Sequence, residues 1–571
     1  MKKRLALILA FAMLAALFAA CGGGKTNSGT DSSGTVQTAD ASSPYNLPAG
    51  KYETDENGIA KEPYEYPLPL TTADEVFTYW ACPSIADAIP ESGYEDMPYP
   101  AALAEKTGVH LEYHIIGWAE RATNFSVLLA SDDLPDLMTN PDWYYPGPLQ
   151  QAVDDGFFAN LYDYKDYMPN YYLEANSHPE DINVKAKIIP YAETIYCFYC
   201  MKNEYITDNG PGARGDWLDR LGMTNEDIIT IDDLHNLLKL FKSEIGAEYP
   251  YTLLLSLDPH NIFSAFDTSC AAGVALIAPP VIENGKVQFA NSRPQDKNFM
   301  TMLNEWWNDG LISPNWASMA GSLDAHNDVL NGVMGVMGMI PGEAHDFSVN
   351  NVDPNAYFVP LHKPVITEGQ VFHLGDNRTW ISLGAWAISA KCANIPLLTS
   401  YCDWFYSPSG IFFENWGVEG YTFYYDESGK PMLTDFLVNH PFGMSSALLQ
   451  FAMNDVNEGG VLIRSRAYAY PGGEKLAAFH AFWDDPDHYR FDGTMQWPSA
   501  IAFTTEQNSR LAELGADIKT YIMENYLQFV DNSKPFSDWD AYVSGLDQLG
   551  WSEAREIYQA AYDDFMDRFG A

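Results

Sequence analysis

Asn140, Asp142, Trp143 and Tyr144 fall within five consecutive residues and combine an amide, a carboxylate and two aromatic rings. Comparable mixtures occur at Trp80, at Trp118, at Asp258, His260 and Asn261, and at Glu343 and His345. Aromatic faces beside paired donors and acceptors suit a carbohydrate: the C–H face of a sugar ring stacks on Trp or Tyr, and its hydroxyls need both kinds of polar partner. In a chain with 15 Trp and 35 Tyr, most single rings are core or surface filler, so the weight rests on the set.

Catalysis has less support. The chain contains no HExxH, no Gly-x-Ser-x-Gly and no Cys/His arrangement of recognisable spacing. Its 12 His are dispersed, and no short window holds three metal ligands. A glycosidase needs only two carboxylates roughly 5 to 9.5 Å apart, so a surface glycoside hydrolase stays open as an alternative in a chain with 77 acidic residues. Cys197 and Cys200 have redox or zinc spacing, but they lie in the β-like run Ile195 to Cys200, where i and i+3 point to opposite faces. They read as buried apolar cysteines. Glu53, Asp55, Asn57 and Gly58 partly resemble a calcium loop, yet its twelfth position is Tyr64 instead of Glu. A turn is expected there, and no cofactor or metal.

Positioning these groups falls to alternating strand-like and helix-like stretches, the pattern of an α/β protein. Strands are expected at 76–80 and 109–116, with a helix at 97–107 closed by Gly108; a helix at 119–131 leads to a strand-like segment at 134–138. That order implies a parallel sheet with right-handed crossovers. A second unit starts near residue 188. Thr230 to Asp233 opens a helix carrying Leu234, Leu237, Leu238, Phe241 and Ile245 on one face and stopped by Gly246. Residues 251–255 read as a strand, 297–308 as a helix, 333–340 as a strand, and the tail as helices capped by Thr504 and Ser552. Ligands of open parallel sheets bind at the carboxyl ends of the strands, which is why the loops named above are the candidate site.

Formal net charge is 32 − 77 = −45. A nucleic-acid partner needs a basic face, and an anionic membrane surface needs the same; both are excluded. Lys2, Lys3 and Arg4 precede an apolar run from Leu5 to Ala20, which reads as a signal peptide over 1–20. The small residues before Cys21 resemble a bacterial lipoprotein cleavage site, with Cys21 as the lipidated residue and 21–70 as lipidated terminus and flexible tether, Gly- and Ser-rich at its start. Localisation on the outer face of the cell membrane through that anchor is expected.

Taken together, the chain resembles the family 1 extracellular solute-binding lipoproteins of ABC importers, nearest to the long members for complex oligosaccharides such as aldouronate. Leu129 to Leu137 is similar to a family motif, with Asp132 where Gly is usual. Asp155 to Leu161 followed by Met168, Pro169 and Asn170, Arg214 to Gly222 with Thr230 to Phe241, Trp306 to Pro314, Asn415 to Pro431, and Ala502 to Glu506 resemble others in the same order. The resemblance implies a two-lobed periplasmic-binding-protein-like clamp, each lobe a mostly parallel sheet flanked by helices, with three hinge crossings near Thr194, Trp380 and Trp497 to Ala502. It places an N-lobe at 71–194 and 381–497 and a C-lobe at 195–380 and 498–571. It also implies a non-catalytic monomer that captures an oligosaccharide and delivers it to ABC permease subunits. Trp80, Trp143, Tyr144, Trp386 and Trp416 are then the expected stacking residues, and Asp142, Asp258, His260, Glu343 and Arg378 the expected hydrogen-bonding ones. A peptide ligand is the alternative within the same class, and Gly417, Glu419 and Gly420 are expected to form a structural turn.

Overall fold

The computed structural model describes residues 43–82, 89–117, 120–207, 209–254, 262–270, 280–319, 322–376, 378–452 and 459–570. The expected signal peptide, Cys21, Trp118, Asp258, His260 and Asn261 lie outside the described residues.

Thirteen strands are described: β1 Val76–Ala81, β2 His110–Ile115, β3 Leu137–Thr139, β4 Phe198–Lys202, β5 Gly210–Arg214, β6 Val281–Glu283, β7 Lys286–Gln288, β8 Val336–Met339, β9 Phe358–Pro360, β10 Ile381–Ile388, β11 Phe423–Tyr425, β12 Pro431–Leu433 and β13 Val461–Leu462. Six of them form the larger sheet in the order β13-β4-β10-β3-β1-β2. β1 is parallel to β2 and β3, with helices Pro98–Thr107 and Arg121–Ser131 as the crossovers, as the alternation of the sequence requires. β10 runs antiparallel to both β3 and β4, and β13 parallel to β4. The carboxyl ends of β3, β4 and β13 therefore lie at one edge of the sheet together with the amino end of β10. A second, antiparallel sheet has the order β8-β5-β9.

Local signals explain most boundaries. Helix Arg121–Ser131 stops at Asp132, whose φ of 56° is left-handed. Glycine takes that conformation without steric cost and Asp is one of the few residues that tolerate it, which accounts for Asp at a position where the resembling family has Gly. Helix Ile231–Leu240 opens on a capping box: Thr230 Oγ1 accepts from Asp233 N at 3.1 Å, and Asp233 accepts from Thr230 N at 2.8 Å. Helix Thr505–Val530 begins the same way at Thr504 and Gln507.

Two expectations are corrected. The segment from Tyr251 is not a strand: only Tyr251 bridges, to Ile312 and Val336, and 252–254 are irregular, because its backbone bonds alternate between Leu311 and Val336 without extending along either. The last helix, Trp551–Phe569, starts one residue before Ser552, after Gly550, and the Ser552 hydroxyl donates to Asp547 at 2.9 Å instead of capping. The calcium-like stretch is a tight turn in which Asp55 Oδ1 accepts from the backbone N–H of Asn57 and Ile59, with Lys61 3.1 Å from Glu53. Gly417 ends helix Pro408–Trp416, and Glu419 bridges Phe423, a structural turn as expected.

Buried side chains separate into three clusters. One draws on residues between 66 and 201 and returns with 385–413 and Val461; another runs from 213 to 374 and resumes at 489–554. A third joins Tyr94 and Met97 to parts of 254–358 and 416–483. All six described cysteines are buried and none forms a disulfide, which agrees with the reading of Cys197 and Cys200 as buried. Among the described residues no helix is long and apolar enough to cross a membrane.

Candidate functional site

A cavity of about 700 Å³ is lined by residues at the ends of strands from both sheets. The larger sheet contributes the edge identified above: Asp142 and Trp143 follow β3, Lys202 ends β4, Ile381 and Ser382 begin β10, and Ile463, Arg464 and Arg466 follow β13. From the smaller sheet come Asn209 before β5 and Ile340, Pro341 and Gly342 after β8. Asn183 and Lys187 of helix Ile182–Ile188, His480 of helix Glu474–Trp483, and Ser499 complete much of the remaining wall. Its size is that of an ordinary small-molecule site.

Asn140 sets the geometry at the end of β3. It takes a left-handed φ of 48°, its N–H donates to Ala385 O and its Oδ1 accepts from Ala385 N, both at 2.8 Å. That double clamp to β10 fixes the start of the short helix Pro141–Tyr144 and so aims Asp142 and Trp143 at the cavity. Trp143 is 42% exposed, which leaves a ring face open to a ligand. Asp142 is almost fully buried, its Oδ1 without a hydrogen-bond partner. Burial pushes its carboxyl above the ordinary range, and Lys187, 3.7 Å away, pulls it back.

The wall is rich in cations. Lys187 lies over the Tyr199 ring at 4.9 Å. Arg466 is buried and donates to Asn415; burial and the neighbouring Arg464 guanidinium lower it to about 10. With Lys202, four cationic side chains line the cavity against a single carboxylate, Asp142. The buried Glu414, whose Oε2 accepts from Val461 N at 3.0 Å, stands behind this wall and also acts on Arg466.

The expected site residues divide sharply. Asp142 and Trp143 line the cavity. Tyr144 is partly buried and turns toward Trp80 and Arg121, with ring-centroid and cation–π distances of 5.9 and 5.4 Å. Trp80 and Trp386 are core residues, each 1% exposed, and the Nε1 of each is already bonded, to Asn124 at 2.7 Å and to Tyr79 at 2.9 Å. Trp416 is buried in the third cluster beside Phe423. These three offer no face for stacking: Trp80 and Trp386 lie on strands with their side chains turned into the protein, and Trp416, the last residue of helix Pro408–Trp416, is buried there. Glu343 caps helix Pro341–Val349 by accepting from Ile340 N at 3.0 Å, one residue beyond the lining Gly342. Arg378 precedes the lining Thr379, but its own Nε donates to Asp376 at 2.7 Å. Lys187, Lys202, Arg464 and Arg466 were missed: they lie on a helix, at the end of a fully buried strand, and after a two-residue strand that no periodicity marks.

No family model matches the chain. It is 22% identical over 507 residues to the fructooligosaccharide ABC transporter substrate-binding protein FusA of Streptococcus pneumoniae, covering 81% of this chain and 86% of that protein. Among solved structures it is similar to the alginate-binding protein AlgQ2, with a TM-score of 0.65 and 20% identity over 86% of this chain and 99% of that one. A human-milk-oligosaccharide (HMO) binding, ABC-transporter-associated solute-binding protein from Bifidobacterium longum infantis gives a TM-score of 0.66 at 18% identity, over 86% and 98%. All three are named as binding proteins. The fold of this chain is that of these α/β binding proteins.

Proposed function

We propose that this protein is the extracytoplasmic receptor of an ABC importer: it captures an oligosaccharide in the cavity between its two sheets and hands it to the permease without altering it. The observation that carries this reading is the cavity itself, walled jointly by the ligand-binding edge of one sheet and by the β5 and β8 ends of the other. An aromatic face at Trp143 and convergent polar groups are what a glycan requires. That the named relatives bind fructooligosaccharide, alginate and milk oligosaccharide supports the same reading. Within that class the ligand is a glycan bearing carboxylates. Lys187, Lys202, Arg464 and Arg466 line the cavity, and a uronate would meet them with charge-assisted hydrogen bonds.

The lobes are proposed as 71–194 with 381–497 and 195–380 with 498–571, with the three crossings as hinges that close around the ligand. The separation of the two largest buried clusters supports a two-lobed division, but Ile195 to Met201 pack with the first of them and β4 pairs in the larger sheet, which favours a first crossing beyond Lys202 over one near Thr194. The protein acts as a monomer held at the outer face of the membrane through lipidated Cys21, with Asp142 and Trp143 as ligand contacts in the cavity and Asp258 and His260 as further proposed ones.

Calorimetric titration with uronate oligosaccharides, neutral oligosaccharides and short peptides tests this, with the ligand recovered and chromatographed afterwards. Tight binding of a uronate series, recovered intact, is the expected result. Binding of peptides alone would overturn the sugar assignment, and cleaved glycan would make the protein a hydrolase.

A further inference from the structure

Three side chains far apart in sequence meet outside the cavity. Glu226 stands in the short turn Asn225–Asp227, His362 two residues beyond β9, and His488 in the segment after helix Glu474–Trp483. Their ligand atoms all lie within 4.8 Å of one another. Glu226 Oε2 is 3.3 Å from His362 Nε2 and 3.5 Å from His488 Nε2. Two ligand atoms each ~2.05 Å from a tetrahedral zinc-type ion stand ~3.3 Å apart, which the two Glu226–His distances match.

The surroundings fit a metal site in four further respects. His488 Nδ1 is 2.9 Å from Phe482 O; a carbonyl there fixes the tautomer that leaves Nε2 as a lone-pair donor, the outer-sphere arrangement usual for metal-ligating His. His362 is 7% exposed, and its Nε2 is a buried polar atom with no hydrogen-bond partner, aimed at the Glu226 carboxylate. Phe482 holds both rings, at 4.9 Å from His362 and 4.0 Å from His488. Glu226 is 59% exposed, which leaves water access for a fourth ligand.

We propose that Glu226, His362 and His488 form a binding site for one divalent transition-metal ion of the zinc class. Two imidazoles and one carboxylate suit zinc, cobalt or nickel and not calcium or magnesium, which take oxygen ligands. The ion has a structural role: it ties the segment carrying His488, which continues to the bridge between Phe372 and Phe491, to residues 226 and 362. None of the three residues lines the cavity, so the site is separate from ligand capture.

Cobalt(II) is the probe, titrated into the metal-stripped full chain and followed by the visible absorption of four-coordinate cobalt. The expected result is one equivalent bound, displaced by zinc and not by calcium, with zinc raising the thermal midpoint. His362→Asn and His488→Asn should each weaken uptake by no less than the ~10- to 100-fold that losing an outer-sphere partner costs. Because Glu226 is exposed, Glu226→Gln keeps the fold and should weaken uptake too, which guards against a His variant that fails to fold. No four-coordinate spectrum, or equal uptake by wild type, Glu226→Gln and His488→Asn, would overturn the proposal.

Discussion

Asp403 is fully buried and accepts from Tyr171 N at 2.6 Å, from Asn170 N at 3.2 Å, from Asn170 Nδ2 at 2.9 Å and from the Tyr66 hydroxyl at 2.7 Å. An amide in its place would set donor against donor, at about 1–3 kcal/mol for each backbone group left unpaired. Asp403→Asn should therefore lower the urea midpoint with the m-value unchanged. Burial raises the Asp403 carboxyl from 3.8 to about 7 against those four hydrogen bonds. A raised carboxyl binds its proton more tightly in the folded state, so its contribution is full below about 4 and is lost as pH rises through about 7. The stability gap between wild type and Asp403→Asn should narrow over that window; a constant gap from pH 4 to 8 would show that the carboxyl stays ionised. Trp143 gives a cleaner test of the site because it is exposed. Trp143→Ala should weaken glycan binding roughly 10- to 100-fold, as a lost aromatic anchor does, with the thermal midpoint of the free protein unchanged. Asp142 and Trp143 were legible because the strand-end rule needs only the end of β3. The cations were not, because β13 is two residues long and nothing before Arg464 announces a strand.

At the level of elements, β13 carries more of the site than its length suggests. It adds beside β4 through Val461 and Leu462 and delivers Ile463, Arg464 and Arg466 to the cavity. Gly459 and Gly460 make this approach possible. A Cβ at Gly460, whose φ is 103°, would lie 2.2 Å from Glu414 Oε1, and one at Gly459 would lie 2.5 Å from the Trp386 ring. Gly460→Ala should therefore lower both stability and glycan affinity, whereas substitution at Gly429, with open space around it, should leave affinity alone. Parallel titrations of the two variants separate these outcomes. The elements best read from sequence are those with local stop and start signals: helix Pro98–Thr107 ending at Gly108, and the boxes at Thr230 and Thr504. Tyr251 failed as a strand because an apolar run does not say whether a neighbour offers a continuous edge. β10 illustrates the same limit: its antiparallel place between β3 and β4 is a long-range pairing on which local propensity is silent.

For the whole molecule, charge and site have opposite signs. A chain of net charge −45 repels anions at long range, yet the cavity presents four cations to one carboxylate. Added salt screens this long-range repulsion as well as any exposed contacts, while buried pairs are screened little, so uronate binding should not fall steeply with salt. Titrations from low to physiological ionic strength should thus change uronate affinity more than neutral-glycan affinity, and by less than an exposed basic patch would show. The two-lobed plan was legible because many separate motifs occur in one order, while the third buried cluster was not, since its members come from segments up to some hundreds of residues apart. The burial of all six described cysteines has a practical corollary. Ser499 is exposed and lines the cavity, so Ser499→Cys would place the sole solvent-accessible thiol among the described residues at the mouth of the clamp. A fluorophore attached there would turn the proposed capture of an unlabelled glycan into an optical signal, a means of measuring that ligand in complex mixtures.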